Sequence, residues 1–365
     1  MIALILSIIA CDLFNNNDDD SHDVNISLGD WKLIGSFQDK FAYKLVVHES
    51  DLFACAGRDG IWRLNIESTN PTWDYAGLAD TSGVYPPLWT VTDIDIYEDT
   101  LLAACFYIRP EAVDTTIGVW RSNDYGESWM PSDYGIPQPD YEFWKFSSTW
   151  GVKRSPHNPS EVVAVGLSQY PFISHDGGYT WHTESEWFNG NNSRMYVSWH
   201  PRIAGEVWIH GQGAIFSPIV YKSTDYGIDW HGFHVELGGD TPIHSIQFDA
   251  KNNEMIYFSS EFGIIRSNDS GNELLNNSTQ ELSWIIEFDY GADNFGGLVT
   301  HPIHENILFF GLNTKLYWST DAGNSFHIIN SPEDSYIYSL VFSEGSDKII
   351  TQTSKGFYFI DIYDN

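Results

Sequence analysis

Carboxylates and aromatic rings crowd together in four stretches of this chain, a pairing suited to handling sugars. Residues 77–91 hold Tyr85-Pro86-Pro87-Leu88-Trp89, and residues 106–117 hold Tyr107-Ile108-Arg109-Pro110-Glu111. Residues 133–150 carry Asp140-Tyr141-Glu142-Phe143-Trp144-Lys145, and residues 183–195 carry Glu184, Glu186, Trp187, Phe188 and Arg194. Glycoside hydrolysis needs two carboxyl groups flanking the scissile bond, and Glu111, Asp140, Glu142, Glu184 and Glu186 are the candidates. The same stretches suit binding without catalysis. Trp89, Tyr141, Trp144 and Trp187 present faces for stacking, while Arg109 and Arg194 present guanidinium forks to an anion or a carbonyl. With 50 acidic residues in the chain, carboxylates fall beside aromatics by chance, which favours binding over hydrolysis.

A recurring frame positions these stretches. Ser122-Asn123-Asp124-Tyr125-Gly126-Glu127-Ser128-Trp129 reads S-x-D-x-G-x-x-W. It returns with Ser174, Asp176, Gly178 and Trp181, and again with Ser223, Asp225, Gly227 and Trp230. Ser319, Asp321 and Gly323 repeat it with Phe326 in the Trp place, and Ser267, Asp269 and Gly271 keep only its first half. Strand-like runs flank each copy, such as Ile117-Gly118-Val119-Trp120-Arg121 before the first, so each marks a hairpin turn. The Asp accepts backbone N–H groups in an Asx-type turn, the Gly supplies a positive φ, and the aromatic folds back over apolar surface. A motif returning every ~40–60 residues denotes an array of equivalent supersecondary units.

The frame resembles the Asp-box (BNR) repeat of sialidases, sortilin-type receptors, photosystem assembly factors and some endoglucanases. That resemblance implies an all-β fold, a β-propeller of four antiparallel strands per blade, with the box as a structural turn between third and fourth strands. It also implies that ligands meet one mouth of the central channel, where the four aromatic-rich stretches would lie. Third-strand positions equivalent across the repeat fall at Arg63, Arg121, Ile173, Lys222, Arg266, Trp318 and Phe359, which predicts seven blades. The last unit lacks a fourth strand, and Gly29–Gly35 has the look of it, so the ring is expected to close by pairing the two ends of the chain. Closure removes exposed sheet edges. Arg63, Arg121 and Arg266 read as structural, and His157, His200 and His301, beside turn prolines, as turn residues.

Sialidases clamp a sugar carboxylate with three arginines, and this chain has few to spare. Its Arg109-Pro110 pair departs from the arginine motif of that family in wording and in position, and six blades are usual there. Endoglucanases with these repeats pair two propellers, where one is expected here. A binding or assembly module for a protein or a glycan is therefore the leading expectation, with a glycoside hydrolase as the alternative.

Composition bounds the partners. A net charge of −32 repels nucleic acid and anionic lipid headgroups. Residues 2–10 are apolar and end in Ile8-Ile9-Ala10-Cys11, which looks like a lipoprotein signal with Cys11 as the lipidated residue; the run is too short to span a bilayer. Residues 12–27 read as an acidic disordered tether, and residues 28–365 as a single propeller. The expectation is an exported monomer, periplasmic or on the cell surface, touching the membrane only through its anchor. Cys55 and Cys105 read as small buried core thiols, with a cross-blade disulfide as the alternative. No zinc-type spacing occurs, so neither metal nor cofactor is expected.

Overall fold

The computed structural model describes residues 26–37, 40–83, 85, 89–107, 117–136, 148–166, 171–183, 195–212, 218–234, 242–272, 283–289, 294–345 and 347–364. The chain opens with β1 (Ile26–Leu28) and β2 (Lys32–Gly35). Blade one follows as β3 (Lys44–His48), β4 (Asp51–Cys55), β5 (Ile61–Asn65) and β6 (Asp74–Tyr75). Blade two is β7 (Trp89–Tyr97), β8 (Thr100–Tyr107), β9 (Val119–Ser122) and β10 (Met130–Pro131). Blade three is β11 (Thr149–Arg154), β12 (Val162–Gly166) and β13 (Phe172–Ser174), with His182 bridging Ile173 where a fourth strand would run. Blade four is β14 (Met195–Trp199), β15 (Val207–Gln212), β16 (Pro218–Ser223) and β17 (His231–His234). Blade five is β18 (Ser245–Phe248), β19 (Ile256–Ser260), β20 (Gly263–Ser267) and β21 (Trp284–Glu287). Blade six is β22 (Phe295–Thr300), β23 (Leu308–Leu312), β24 (Lys315–Ser319) and β25 (His327–Asn330). Blade seven is β26 (Ile337–Phe342), β27 (Lys348–Thr353) and β28 (Gly356–Asp364), completed from the other end of the chain.

The seven antiparallel sheets form a seven-bladed β-propeller. Each innermost strand touches the innermost strand of the next blade, from β3 through β7, β11, β14, β18, β22 and β26 back to β3. β2 pairs with β28 in the register Lys32↔Phe359, and β1 pairs further along it, Ile26↔Asp364. The expected closure is thus present, and β1 begins two residues before the expected boundary at 28. Ile34 joins Leu45, Leu52, Ile350 and Phe357 in one buried cluster, so closure fuses blades seven and one. Burying one such isoleucine contributes roughly 1.5–3 kcal/mol.

Strand composition follows position in the blade. β12, β19 and β23 are buried along their whole length because neighbouring blades cover both faces. They read as continuous apolar runs rather than alternating ones. β6 and β10, at the outer rim, are exposed. Pro332–Asp334 is a short helical turn, and no helix among the described residues is long and apolar enough to cross a membrane. Cys55 and Cys105 are free, buried thiols in the cluster between blades one and two.

The repeat frame builds the same turn five times. The Ser hydroxyl donates to the Asp carboxylate at 2.6–2.8 Å and accepts the Gly N–H at 2.8–2.9 Å. The Asp also accepts the backbone N–H four residues on, at Ser128, Thr180, Asp229 and Ser325. Gly178 has a φ of 95°, and a Cβ there would stand 2.9 Å from Leu102 of the preceding blade. Gly is therefore required twice over, by backbone conformation and by close approach.

The basic third-strand residues are the rivets between blades. Arg63 donates to the Tyr125 carbonyl, Arg121 to Gly177, Lys222 to Ser270 and Arg266 to Ala322. Each acceptor is the residue just before the box Gly of the next blade. Trp129 and Trp181 tie in the opposite direction, their indoles donating to the Ala76 and Ser132 carbonyls of the blade before. His200 and His301 hold the turns after β14 and β22, each Nδ1 accepting two backbone N–H groups.

Candidate functional site

The channel has two ends of different character. A cavity of about 650 Å³ is lined by the last residues of inner strands and the turns after them, including Arg154, Trp199, Pro201, Thr300 and Pro302. A larger one of about 800 Å³ is lined by their first residues, including Tyr43, Tyr196, His244, Phe295 and Tyr338. These inner strands therefore run the same way along the channel. Both volumes fall within the ~300–1,000 Å³ range of ligand clefts.

Aromatic rings gather where the inner strands begin. Phe41 packs edge-on against Tyr43 at 5.5 Å and against Tyr338 at 5.2 Å, which links blades one and seven across the closure. Phe41 and Tyr43 are exposed. Phe106 and Trp150 meet at 4.9 Å across blades two and three. Tyr196 stacks on His210 at 5.5 Å, and His244 lies 6.5 Å from Phe295. His210 is fully enclosed, its Nδ1 at 3.0 Å from the Ile243 carbonyl, and burial pushes its pKa down to about 4.

Charge in the channel is mixed and largely paired. Lys153 lies 3.3 Å from Asp93 and donates to the Ile94 carbonyl. Burial works against its charge, but Asp93 and Asp95 outweigh it and hold its pKa above the usual lysine value. Arg154 pairs with Asp95 at 2.7 Å, and Glu261 lies 3.7 Å from His244. Lys44, the first residue of β3, is exposed to the open channel. Desolvation by the protein packed around the channel lowers its pKa from the usual lysine value, with Asp93 opposing.

Most residues nominated from the sequence lie elsewhere along the chain. Arg109 and Glu111 fall between β8 and β9, Asp140, Tyr141, Glu142 and Trp144 between β10 and β11, and Glu184, Glu186, Trp187 and Arg194 between β13 and β14. All lie outside the described residues, as does Cys11. Trp89, expected on a loop, is instead the first residue of β7. Its backbone pairs with Tyr107, and its half-buried ring packs 6.1 Å from the Tyr107 ring. Tyr43, Lys44, Tyr196 and Tyr338 were not singled out by sequence reasoning. The signal available for the tyrosines was an aromatic ring at or next to the first residue of each inner strand; Lys44 carried none.

No protein-family model matches the chain, and no curated protein does. Solved structures do. YCF48 from Cyanidioschyzon merolae superposes with a TM-score of 0.61 at 13% identity, over 91% of this chain and 98% of that one. YCF48 bound to D1 peptide gives 0.60 at 13%, over 92% and 95%. The GH74 xyloglucanase from Xanthomonas campestris gives 0.63 at 12%, over 91% of this chain and 53% of the enzyme. What is shared is the propeller. This chain spans about half the length of that enzyme. At such identities the likeness carries no residue across.

Among the described residues, the carboxylates displaced from their ordinary range move down. Asp124 is held there by the Ser128 hydroxyl and N–H. In Asp176 and Asp321 partial burial opposes ionisation, and hydrogen bonds from Thr180 and Ser325 outweigh it. These are turn-building anions. No group of three His, Cys, Asp or Glu among the described residues could hold a metal ion.

Proposed function

We propose that this chain is a non-catalytic binding or assembly module, engaging a protein or a glycan at the aromatic mouth of its channel. The observation that carries the reading is the open cavity of about 800 Å³ rimmed by Tyr43, Tyr196, Phe295 and Tyr338. Aromatic rings bring large contact area at low entropic cost, and a tyrosine adds a hydroxyl for orientation. The likeness to a propeller solved with a bound peptide supports the same reading. The protein would be exported and held at a membrane by lipid on Cys11, with the acidic segment as its tether.

A second reading, glycoside hydrolysis, draws on the fold likeness to GH74 enzymes and on Glu111, Asp140, Glu142, Glu184 and Glu186. A glycan array run beside a chromogenic glycoside panel separates the two. Binding without turnover, weakened at least tenfold (about 1.4 kcal/mol) by Tyr338→Ala, is the expected result. Turnover abolished by Glu142→Gln or Glu184→Gln would replace the first reading with the second.

A further inference from the structure

At four seams between blades a basic third-strand side chain ends on the residue four places after the matching position of the next blade. Arg63 reaches Tyr125, Arg121 reaches Gly177, Lys222 reaches Ser270 and Arg266 reaches Ala322. The seam between blades seven and one breaks the pattern. Phe359 holds the basic place there, and Glu67 stands where the acceptor residue would be. Both line a cavity of about 190 Å³. That is smaller than the ~300–1,000 Å³ of ligand clefts and fits one side chain. Its floor is apolar, built from Ile34, Ile66, Ile350 and the Phe359 ring, with Ile34 and Ile350 buried. Its rim is anionic. Glu49, Glu67, Glu344 and Asp347 stand there against Lys348, which already pairs with Asp347 at 2.7 Å. Glu344 lies 3.4 Å from His48, whereas the carboxylates of Glu49 and Glu67 make no hydrogen bond and no ion pair among the described residues. Glu49 follows β3 and Glu344 follows β26, so the slot opens at the end of the propeller opposite the aromatic mouth.

We propose that this slot receives the side chain of an arginine presented by a protein partner, which supplies in trans the rivet that four other seams carry in cis. An arginine offers an apolar stem to the isoleucine floor and a planar, charged fork to the carboxylates above it. The intact seams show that chemistry within the chain. Arg121 lies over the Tyr179 ring at 3.8 Å, and Arg63 pairs with Glu127 at 2.9 Å. A purely apolar side chain would cover the floor and leave the rim charges unmatched. An anionic one would be repelled by a rim of four carboxylates on a chain of net charge −32. The same field draws a basic protein surface toward the seam. This contact is separate from the mouth and does not depend on what the mouth binds.

The test uses the full chain labelled at its isoleucine δ1-methyl groups and followed by NMR. It is titrated with acetyl-Gly-Arg-Gly-amide and with the citrulline counterpart, which keeps the shape and lacks the charge. The methyl signals of Ile34, Ile66 and Ile350 should move with up to about 10 mM arginine peptide, the weak range open to a single side chain. The exposed Ile228 and Ile303, at the same end of the propeller, should stay still. The citrulline peptide should bind at least about threefold more weakly, as expected when an exposed ion pair is lost. The double variant Glu67→Gln/Glu344→Gln should erase that preference and melt as the parent does. Slot methyls that do not move, equal movement with both peptides, or a preference that survives in the double variant overturns the proposal. So does equal movement of Ile228 and Ile303, which would mean attraction to the acidic surface at large. If the double variant fails to fold, the arginine–citrulline comparison on the parent decides alone.

Discussion

The two ends of the propeller are built on opposite principles. At the end carrying the strand-three-to-four turns, one hydrogen-bonded cage recurs in blades two to six. In every cage the Ser hydroxyl is paired within the repeat, and a basic side chain can reach it from the adjacent blade, as Arg121 reaches Gly177. At the other end the rings at or next to the first residue of each inner strand differ from blade to blade: Tyr43, Trp89, Trp150, Tyr196, His244, Phe295 and Tyr338. Uniformity serves ring stability, and on the proposed reading variety serves recognition. A rigid scaffold with variable loops is how binding surfaces are commonly built.

Substitutions that break this contrast rank by size. Trp181→Ala removes a buried indole that holds Ser132 of the preceding blade, and should cost about 3–5 kcal/mol in thermal or denaturant unfolding. A loss below 1 kcal/mol would deny the box tryptophan its clamping role. Arg121→Met leaves the Gly177 carbonyl without its guanidinium donor and should cost about 1–3 kcal/mol. A neutral result would mean the rivet is dispensable. Tyr43→Ala, at a residue 60% exposed, should move stability by no more than about 0.5 kcal/mol while weakening ligand capture.

Acid sharpens the contrast from another side. Asp124, Asp176 and Asp321 titrate below the usual Asp value in the folded chain. Groups with a depressed folded pKa stabilise fully above the unfolded value near 3.8, and that contribution fades as pH falls through the lower folded value. Melting temperature should hold from neutral pH down to about 5 and then drop as pH falls further. Asp176→Asn should start lower and fall less steeply. An identical slope in the parent and the variant would remove Asp176 from this account.

How much of this was legible in the sequence depends on the range of the interactions. The third-strand positions Arg63 through Phe359 occupy one register in all seven sheets. Local turn chemistry and strand pattern sufficed for that. The pairing of Lys32 with Phe359 was also readable, because a ring one strand short must borrow it. The channel was not. Lys44 and Gln247 lie about 200 residues apart along the chain and line the same cavities only because the ring closes. Within its strand Lys44 reads as an ordinary exposed position. Arg63, Arg121 and Arg266 were recognised as structural, but their target, a carbonyl in the next blade, follows from packing alone. Trp89 was misplaced onto a loop because β7 extends three residues ahead of the apolar pattern that announced it.

One paired measurement tests the division of labour directly: melting temperature and ligand retention on Asp176→Ala and on Tyr338→Ala. Asp176→Ala should lose about 0.5–2 kcal/mol of stability, by analogy with the loss of a capping side chain, and bind like the parent at a temperature where both are folded. Tyr338→Ala should melt like the parent and lose ligand. The reverse pattern, with binding lost at the box and stability lost at the mouth, would contradict the account.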